Sequence, residues 1–127
     1  MARILIVDDA KFMRVTLSNI LKNDNHEIVG EAENGLEAVQ LYKQLQPDLV
    51  TMDITMPVMN GIDAIKEIMD ENKEAQVLVC SAMGQQKVVV EAIESGAKDF
   101  IVKPFDENRV LETVNRLLHK SQGLNTN

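Results

Sequence analysis

Short runs of apolar residues alternate with longer amphipathic segments along the chain. Four runs are continuously apolar and a fifth is weaker; they lie at residues 4–7, 49–52, 77–80 and 100–102, with the weak run at 28–29. Continuous apolar runs are typical of strands that are covered on both faces, as in a parallel sheet. The pattern therefore predicts five buried strands.

Between and after these runs, apolar residues recur at helical spacing, so that each segment carries one apolar face. The five stripes are Met13, Leu17, Ile20 and Leu21; Ala38, Leu41, Tyr42 and Leu45; Ile65, Ile68 and Met69; Val89, Ala92 and Ile93; Val110, Val114, Leu117 and Leu118. Five strand–helix units with right-handed crossovers predict an α/β fold. We expect a (βα)5 doubly wound, five-stranded parallel sheet in a three-layer sandwich.

Local signals agree with these boundaries. Asn34 and Glu37 have the spacing of a capping box at the start of the second helix. Gln46 stands before a proline that ends this helix, and Ser95 and Gly96 follow the fourth helical stripe. The helices are therefore expected to begin and end near these residues.

Length and composition narrow the possible functions. The 127 residues suit one domain, predicted to span residues 1–120 and to be followed by a flexible polar tail at 121–127. A net charge of −7 and an aromatic content of 3% argue against nucleic acid and anionic membranes as partners. The single cysteine, Cys80, cannot form an internal disulfide, and no apolar run approaches the roughly 18 residues of a membrane span. We expect a cytoplasmic protein.

Polar residues directly follow four of the predicted strands. Asp8 and Asp9 follow the first, Asp53 the third, Ser81 the fourth and Lys103 the fifth. Any one of them alone is compatible with a helix cap or a solvated loop residue. The carboxyl ends of parallel strands share one edge of the sheet, where ligands of open α/β sheets bind. Together, these residues predict a site at that edge.

This set of residues favours phosphoryl chemistry. Three neighbouring carboxylates repel one another unless a cation neutralises them, which predicts a divalent metal ion. Oxygen ligands at a wet sheet edge suit Mg²⁺, while calcium and manganese remain possible. A metal ion and Lys103 beside a carboxylate indicate phosphoryl transfer, with Asp53 as the nucleophile and the Ser81 hydroxyl as a hydrogen-bond donor. A cis peptide before Pro104 would direct the lysine amine back to the site.

At these residues the chain resembles the receiver domains of two-component response regulators, over roughly the first 120 positions. The matching motifs are residues 4–9, residues 52–57 with Asn60 and Gly61, the pair Ser81 and Ala82, and residues 103–105. The resemblance implies a flavodoxin-like sheet with strand order 2-1-3-4-5. It also implies that a histidine kinase phosphorylates Asp53.

Further roles follow from the same resemblance. The implied Mg²⁺ ligands are Asp8, Asp9, Asp53 and the backbone carbonyl of Thr55, and the implied phosphoryl contact is Lys103. Ser81 and Phe100 are the implied switch residues. Many members of the family carry tyrosine where this chain has Phe100, so the hydroxyl is missing here. The alternative for Phe100 is a plain core aromatic.

Residues 9–14, 80–86 and 98–102 are similar to single-domain chemotaxis regulators. This similarity implies a signalling protein rather than an enzyme, one that dephosphorylates itself slowly. Phosphorylation would shift an existing equilibrium and change partner binding on the face of the fourth helix, fifth strand and fifth helix. The expected partners are the kinase, a flagellar motor switch protein or another output partner, and a phosphatase. Val90 and Leu111 are candidates for exposed residues on this face.

Two other functions remain open from the sequence. The chain is also compatible with a receiver domain cut from a larger response regulator, such as a transcription factor. A phosphatase of the haloacid dehalogenase type also uses a strand-end aspartate, but it needs a second acid where this chain has Thr55. The histidines, His26 and His119, are expected to be structural or solvated, and Cys80 an apolar strand residue.

Overall fold

The computed structural model describes residues 1–121, in which five strands alternate with five helices. The strands are β1 (Arg3–Val7), β2 (Glu27–Ala32), β3 (Leu49–Asp53), β4 (Val77–Ser81) and β5 (Asp99–Val102). The helices are α1 (Lys11–Asn23), α2 (Gly35–Leu45), α3 (Gly61–Glu71), α4 (Gln86–Glu94) and α5 (Glu107–Ser121). No helix of this described part is long and apolar enough to span a membrane. Apart from Ser121, the predicted polar tail lies outside the described residues.

All five strands are parallel and form one sheet in the order β2-β1-β3-β4-β5. Helices α2, α3 and α4 cover one face, and α1 and α5 cover the other. The predicted (βα)5 three-layer fold and its flavodoxin-like strand order are therefore confirmed. The strand order reverses beside β1, so the carboxyl ends of β1 and β3 form the crevice where such sheets bind ligands.

Successive strand residues pack into two separate cores. Ile4 and Ile6 of β1 contact the core beneath α1 and α5, whereas Leu5 and Val7 contact the core beneath α2, α3 and α4. Strands β3 and β4 show the same alternation. Because both faces of these three strands are covered, the side chains on both faces are largely apolar, which explains their continuous runs in the sequence. The prediction of a buried fifth strand is wrong, because β5 lies at the edge of the sheet and two of its four residues are exposed.

Strand β2 is longer than its apolar run at residues 28–29 predicts. It is an edge strand with one neighbour, and Glu27 and Glu31 are exposed on it. Five of its six residues pair with β1 even though only part of the strand is apolar. The edge position, rather than the hydrophobic pattern, accounts for the difference.

The predicted helix ends are confirmed. The Asn34 side chain accepts the backbone N–H of Glu37 at 2.9 Å and so caps α2, and the Glu37 carboxylate accepts the N–H of Glu33 at 2.9 Å. Gln46 ends α2 in the left-handed conformation. Ser95 is the C-terminal cap of α4.

Gly61 holds the start of α3 against the end of β3. A Cβ atom at this position would lie 2.1 Å from the backbone oxygen of Asp53, so only glycine permits this approach. The Gly61 N–H also donates to the backbone oxygen of Ile54 at 2.7 Å. The backbone that follows β3 is thereby fixed next to Asp53, which is a predicted site residue.

A closed hydrogen-bond network joins β1, the start of β2 and α5 at the amino-terminal edge of the sheet. Buried His26 accepts the N–H of Ala2 on Nδ1 at 3.2 Å, and its Nε2 lies 3.1 Å from Oδ1 of Asn115. The Asn115 amide donates to Asp24 at 2.8 Å. Both ring nitrogens of His26 therefore have partners, and the residue is structural, as expected. His119 is exposed.

Candidate functional site

The polar residues that follow the strands meet at the carboxyl edge of the sheet. Asp8 follows β1, Asp53 ends β3, Ser81 ends β4 and Lys103 follows β5. Three of them are largely buried, with exposed fractions of 4% for Asp8, 8% for Asp53 and 2% for Ser81. Asp9 is exposed beside them. The predicted grouping of these residues is confirmed.

The three aspartates could hold a metal ion. One carboxylate oxygen each from Asp8, Asp9 and Asp53 lies within 4.8 Å of the others. Lys103 Nζ donates to Asp8 Oδ2 at 2.8 Å and to Asp53 Oδ1 at 3.2 Å. Three carboxylates against one ammonium leave an excess of negative charge. This set of hard oxygen donors fits a divalent cation such as Mg²⁺.

Burial and neighbouring charges shift the pKa of Asp53. Burial, followed by the charge of Asp8, raises the pKa of Asp53 from 3.8 to about 6, although Lys103 and the Ile54 N–H oppose this. Burial alone would lower the pKa of Lys103, but its hydrogen bonds and ion pairs with Asp8 and Asp53 outweigh burial and raise it. Near neutral pH, Lys103 is therefore charged and Asp53 is mostly ionised.

Only one oxygen of the Asp53 carboxylate is engaged. Oδ1 accepts both the Ile54 N–H at 3.0 Å and the Lys103 ammonium. Oδ2 has no hydrogen-bond partner within the part of the chain that the structure describes. Asp8, by contrast, uses Oδ1 for the Ala10 N–H at 2.9 Å and Oδ2 for Lys103. Asp53 thus has a free oxygen next to a cation.

Arg14 supports the site, and sequence reasoning missed it. This α1 residue is buried, and its Nη1 donates to the backbone oxygen of Asp8 at 2.7 Å. Its Nε donates to Glu31 of β2 at 2.8 Å. An arginine one residue after Met13 in the apolar stripe of α1 was the available signal. Arg14 fixes the backbone from which the Asp8 carboxylate extends.

Ser81 and Lys103 are linked through their backbones. The Lys103 N–H donates to the backbone oxygen of Ser81 at 2.8 Å, and the Lys103–Pro104 peptide is cis. The Ser81 hydroxyl makes no hydrogen bond within residues 1–121. It is available to a ligand that reaches Asp53. Thr55 lies two residues after Asp53 and is exposed, and the role of its carbonyl stays a prediction.

Apolar side chains are exposed between α4 and β5. Val90 of α4 is 56% exposed, as expected, and Phe100 of β5 is 44% exposed, so Phe100 is not a core aromatic. A cavity of about 450 Å³ between them is also lined by Met83 and Val102. The expectation for Leu111 is wrong, because it is only partly exposed and packs against the core beneath α1 and α5.

Comparison with known proteins identifies the family. The response regulator receiver domain matches residues 4–115. The chain belongs to this family. This receiver is 63% identical over 115 residues to the chemotaxis protein CheY of Thermotoga maritima, a match that covers 91% of this chain and 96% of that protein. It is 59% identical over 117 residues to the CheY of Bacillus subtilis, covering 92% and 98%.

A similar solved structure supports the same family assignment. The receiver resembles the CheX–CheY–BeF₃–Mg²⁺ complex of Borrelia burgdorferi with a TM-score of 0.87 and 41% identity, over 91% of this chain and 87% of that one. The protein is thus a CheY-like signalling receiver of a two-component system, rather than a haloacid dehalogenase. The comparisons favour it over a receiver from a larger regulator. CheY-like receivers take phosphoryl groups from histidine kinases and act on other partners.

Proposed function

We propose that this receiver is activated by phosphorylation of Asp53 and that it transmits a chemotaxis signal. The observation that carries the proposal is the unpartnered Oδ2 of Asp53, beside the Lys103 ammonium and the other two aspartates. A buried carboxylate with one free oxygen, beside an ammonium that can bind a phosphoryl oxygen, is a suitable nucleophile. Asp8, Asp9, Ser81 and Lys103 are assigned to the supporting roles.

The chemical step is a transfer between nitrogen and oxygen. Asp53 Oδ2 attacks the phosphorus of a phosphohistidine, so that a P–O bond forms while the P–N bond breaks. The electron pair of the broken bond goes to the imidazole nitrogen, which takes up a proton. Lys103 and the Ser81 hydroxyl bind terminal phosphoryl oxygens, where charge must be neutralised. The acyl phosphate then hydrolyses slowly, which returns Asp53 to its carboxylate form.

Asp8, Asp9, Asp53 and the Thr55 carbonyl would hold Mg²⁺ in this proposal. When bound, the ion would supply positive charge for the phosphoryl oxygens and would offset the repulsion among the carboxylates. Lys103 alone balances one of the three negative charges, so the chain's own residues leave room for this cation. The resulting site has the charge that phosphoryl transfer needs.

Phosphorylation would change binding on the α4-β5-α5 face. The exposed apolar residues Val90 and Phe100, with the cavity between them, support a partner surface here. The proposed partners on this face are a flagellar motor switch protein and a phosphatase.

We also propose that the protein acts in the cytoplasm and that its receiver domain spans residues 1–120.

A direct test uses a small acyl phosphate or amidophosphate donor with Mg²⁺. We expect the protein to gain the mass of one phosphoryl group, and we expect Asp53→Asn to gain none. Asp48→Asn, which changes an exposed aspartate at the opposite edge, is the matched control and should react normally. Uptake of phosphate by Asp53→Asn at the native rate would show that the site assignment is wrong.

A second experiment tests the output. A peptide from a flagellar switch protein, immobilised on beads, should retain more of the phosphorylated receiver than of the unphosphorylated one. Val90→Asp should reduce this retention without affecting phosphorylation, because Val90 is an exposed α4 residue that is not among the proposed metal- or phosphoryl-binding residues. Equal retention of both forms would point to another output partner.

A further inference from the structure

Gln85 connects the two loops that follow β3 and β4. Its Oε1 accepts the backbone N–H of Ala82 at 2.7 Å, and its Nε2 lies 3.4 Å from the hydroxyl of Thr55. Gln85 is the N-terminal cap residue of α4, yet its side chain accepts no N–H from the first turn of that helix. The side chain therefore contacts the site loops instead of its own helix.

The Ala82 N–H faces the side of β4 on which Asp53 lies. Backbone groups along a strand point alternately to its two neighbours. The Ser81 carbonyl accepts a hydrogen bond from Lys103, beyond β5, so the N–H of the next residue points the other way, towards β3. Asp53 is the last residue of β3 and pairs with Cys80. The contact between Gln85 and Thr55 lies on this same side.

We propose that Gln85 occupies a backbone donor that a phosphoryl group on Asp53 would use, and that it thereby holds the receiver in its unphosphorylated conformation. The inference rests on the proposed function of Asp53. A phosphoryl group brings three acceptor oxygens and close to two negative charges. Lys103 and the Ser81 hydroxyl are two donors for these oxygens, and the Ala82 N–H is a third that is already in use.

Competition for this N–H favours the phosphoryl group once it is present. A hydrogen bond to a charged oxygen is roughly twice as strong as one to a neutral amide oxygen. Displacement of the Gln85 side chain would also break its contact with Thr55. The segment from Ala82 to Gln85, which carries exposed Met83, would then be free to rearrange beside α4. Gln85 is thus a positioning residue that links the site to the α4-β5-α5 face.

The proposal predicts that loss of the Gln85 side chain strengthens binding of a phosphoryl mimic. Removal of one competing neutral hydrogen bond should tighten binding by about three- to tenfold. The probe is beryllium fluoride with Mg²⁺, titrated by calorimetry into the wild type, Gln85→Ala and Gln85→Met. Gln85→Met keeps the length of the side chain and removes the acceptor. The affinity for Mg²⁺ alone should not change.

Gln86→Ala is the matched control, because Gln86 is an exposed neighbour with no side-chain hydrogen bond in the described part of the chain. A second readout is hydrogen exchange of the Ala82 amide without the mimic, which should be faster in both Gln85 variants and unchanged in Gln86→Ala. A general loss of stability would not confine faster exchange to this amide. With the mimic bound, the Ala82 amide should be protected in every variant.

Two outcomes separate this inference from the proposed function. If the wild type binds the mimic but the Gln85 variants bind it no more tightly than Gln86→Ala, the role of Gln85 is wrong and the function of Asp53 stands. If the wild type fails to bind the mimic, or Asp53→Ala binds it equally well, the proposed function fails and this inference fails with it.

Discussion

Titratable side chains cluster at both ends of the parallel strands, at the amino-terminal edge and at the carboxyl edge of the sheet. The two clusters differ in how completely their side chains are paired. At the amino-terminal edge, both nitrogens of His26 have partners, and Asn115 joins His26 to Asp24. At the carboxyl edge, Lys103 pairs with only Asp8 and Asp53 of the three aspartates, and one oxygen of Asp53 is left over. A network with complete pairing stabilises the fold, whereas incomplete pairing costs stability and provides a place for a ligand.

The first prediction concerns the stability cost of the buried Asp53 carboxylate. Asp53→Asn should raise the free energy of unfolding at pH 8 by up to about 3 kcal/mol in the absence of divalent cations, because the native pKa of about 6 lies above the ordinary 3.8. The folded state holds the Asp53 proton more tightly than the unfolded state, so this group's contribution to wild-type stability falls as pH rises from about 4 to 6.

Urea unfolding at pH 8 and pH 4 measures this difference. At pH 4 the advantage of Asp53→Asn should shrink to a small fraction of its value at pH 8, because the wild-type carboxyl is then protonated in the folded state and partly protonated in the unfolded chain. Mg²⁺ should also reduce the advantage at pH 8, since it stabilises the wild type by binding the folded state. If Asp53→Asn were less stable than the wild type at pH 8, burial would not be destabilising the Asp53 carboxylate.

The second prediction is a loss of stability, and it concerns His26 at the amino-terminal edge of the sheet. His26→Leu should lower the free energy of unfolding by about 2 kcal/mol, because it leaves the Ala2 N–H without its acceptor and Asn115 Oδ1 without its donor. Mg²⁺ affinity should stay the same. His119→Leu, which changes an exposed histidine of α5, is the control and should unfold like the wild type. A shift in metal affinity in His26→Leu would mean that the two edges are coupled.

The Lys103 ammonium contacts two of the carboxylates that a cation would use. Lys103→Met should tighten Mg²⁺ binding by roughly tenfold, since it removes a competing and repelling charge. It should also slow phosphoryl uptake. Titration calorimetry measures the affinity, and Lys98→Met, at an exposed lysine, should show no change. Weaker Mg²⁺ binding in Lys103→Met would place the cation elsewhere.

The smallest effect concerns backbone strain. Val58, in the loop after β3, has φ of 69°, and Asn25, just before β2, has φ of 67°. Asparagine tolerates this left-handed region, whereas a β-branched residue is strained in it. Val58→Asn should therefore stabilise the protein by about 1 kcal/mol, and Asn25→Val should destabilise it by a similar amount. Thermal unfolding of the two variants checks whether the changes have opposite signs.

Much of the carboxyl edge was predictable from sequence, because a parallel sheet brings the ends of its strands together. Asp53, Ser81 and Lys103 each directly follow or end an apolar run, so their positions depend only on the strands. Arg14 and Gln85 were not predictable in this way. Their long side chains reach partners that are determined by the packing of α1 on β2 and by loop geometry.

The surface was the least predictable part. Val90 and Leu111 both stand beside helical stripes, yet only Val90 is exposed. Leu111 packs against the core because α1 and α5 are neighbours on one face of the sheet. This contact cannot be predicted from the hydrophobic pattern of a single helix. The free Oδ2 of Asp53 likewise follows from the direction of neighbouring donors rather than from residue type.

Strand β5 lies at the edge of the sheet and exposes Phe100 and Val102. An open apolar edge usually invites pairing with a strand from another molecule, which leads to aggregation. Here the strand has only four residues and begins at Asp99, and it is soon followed by Pro104, which has no N–H to donate. The edge can therefore present side chains to a partner while it offers little backbone for uncontrolled self-association.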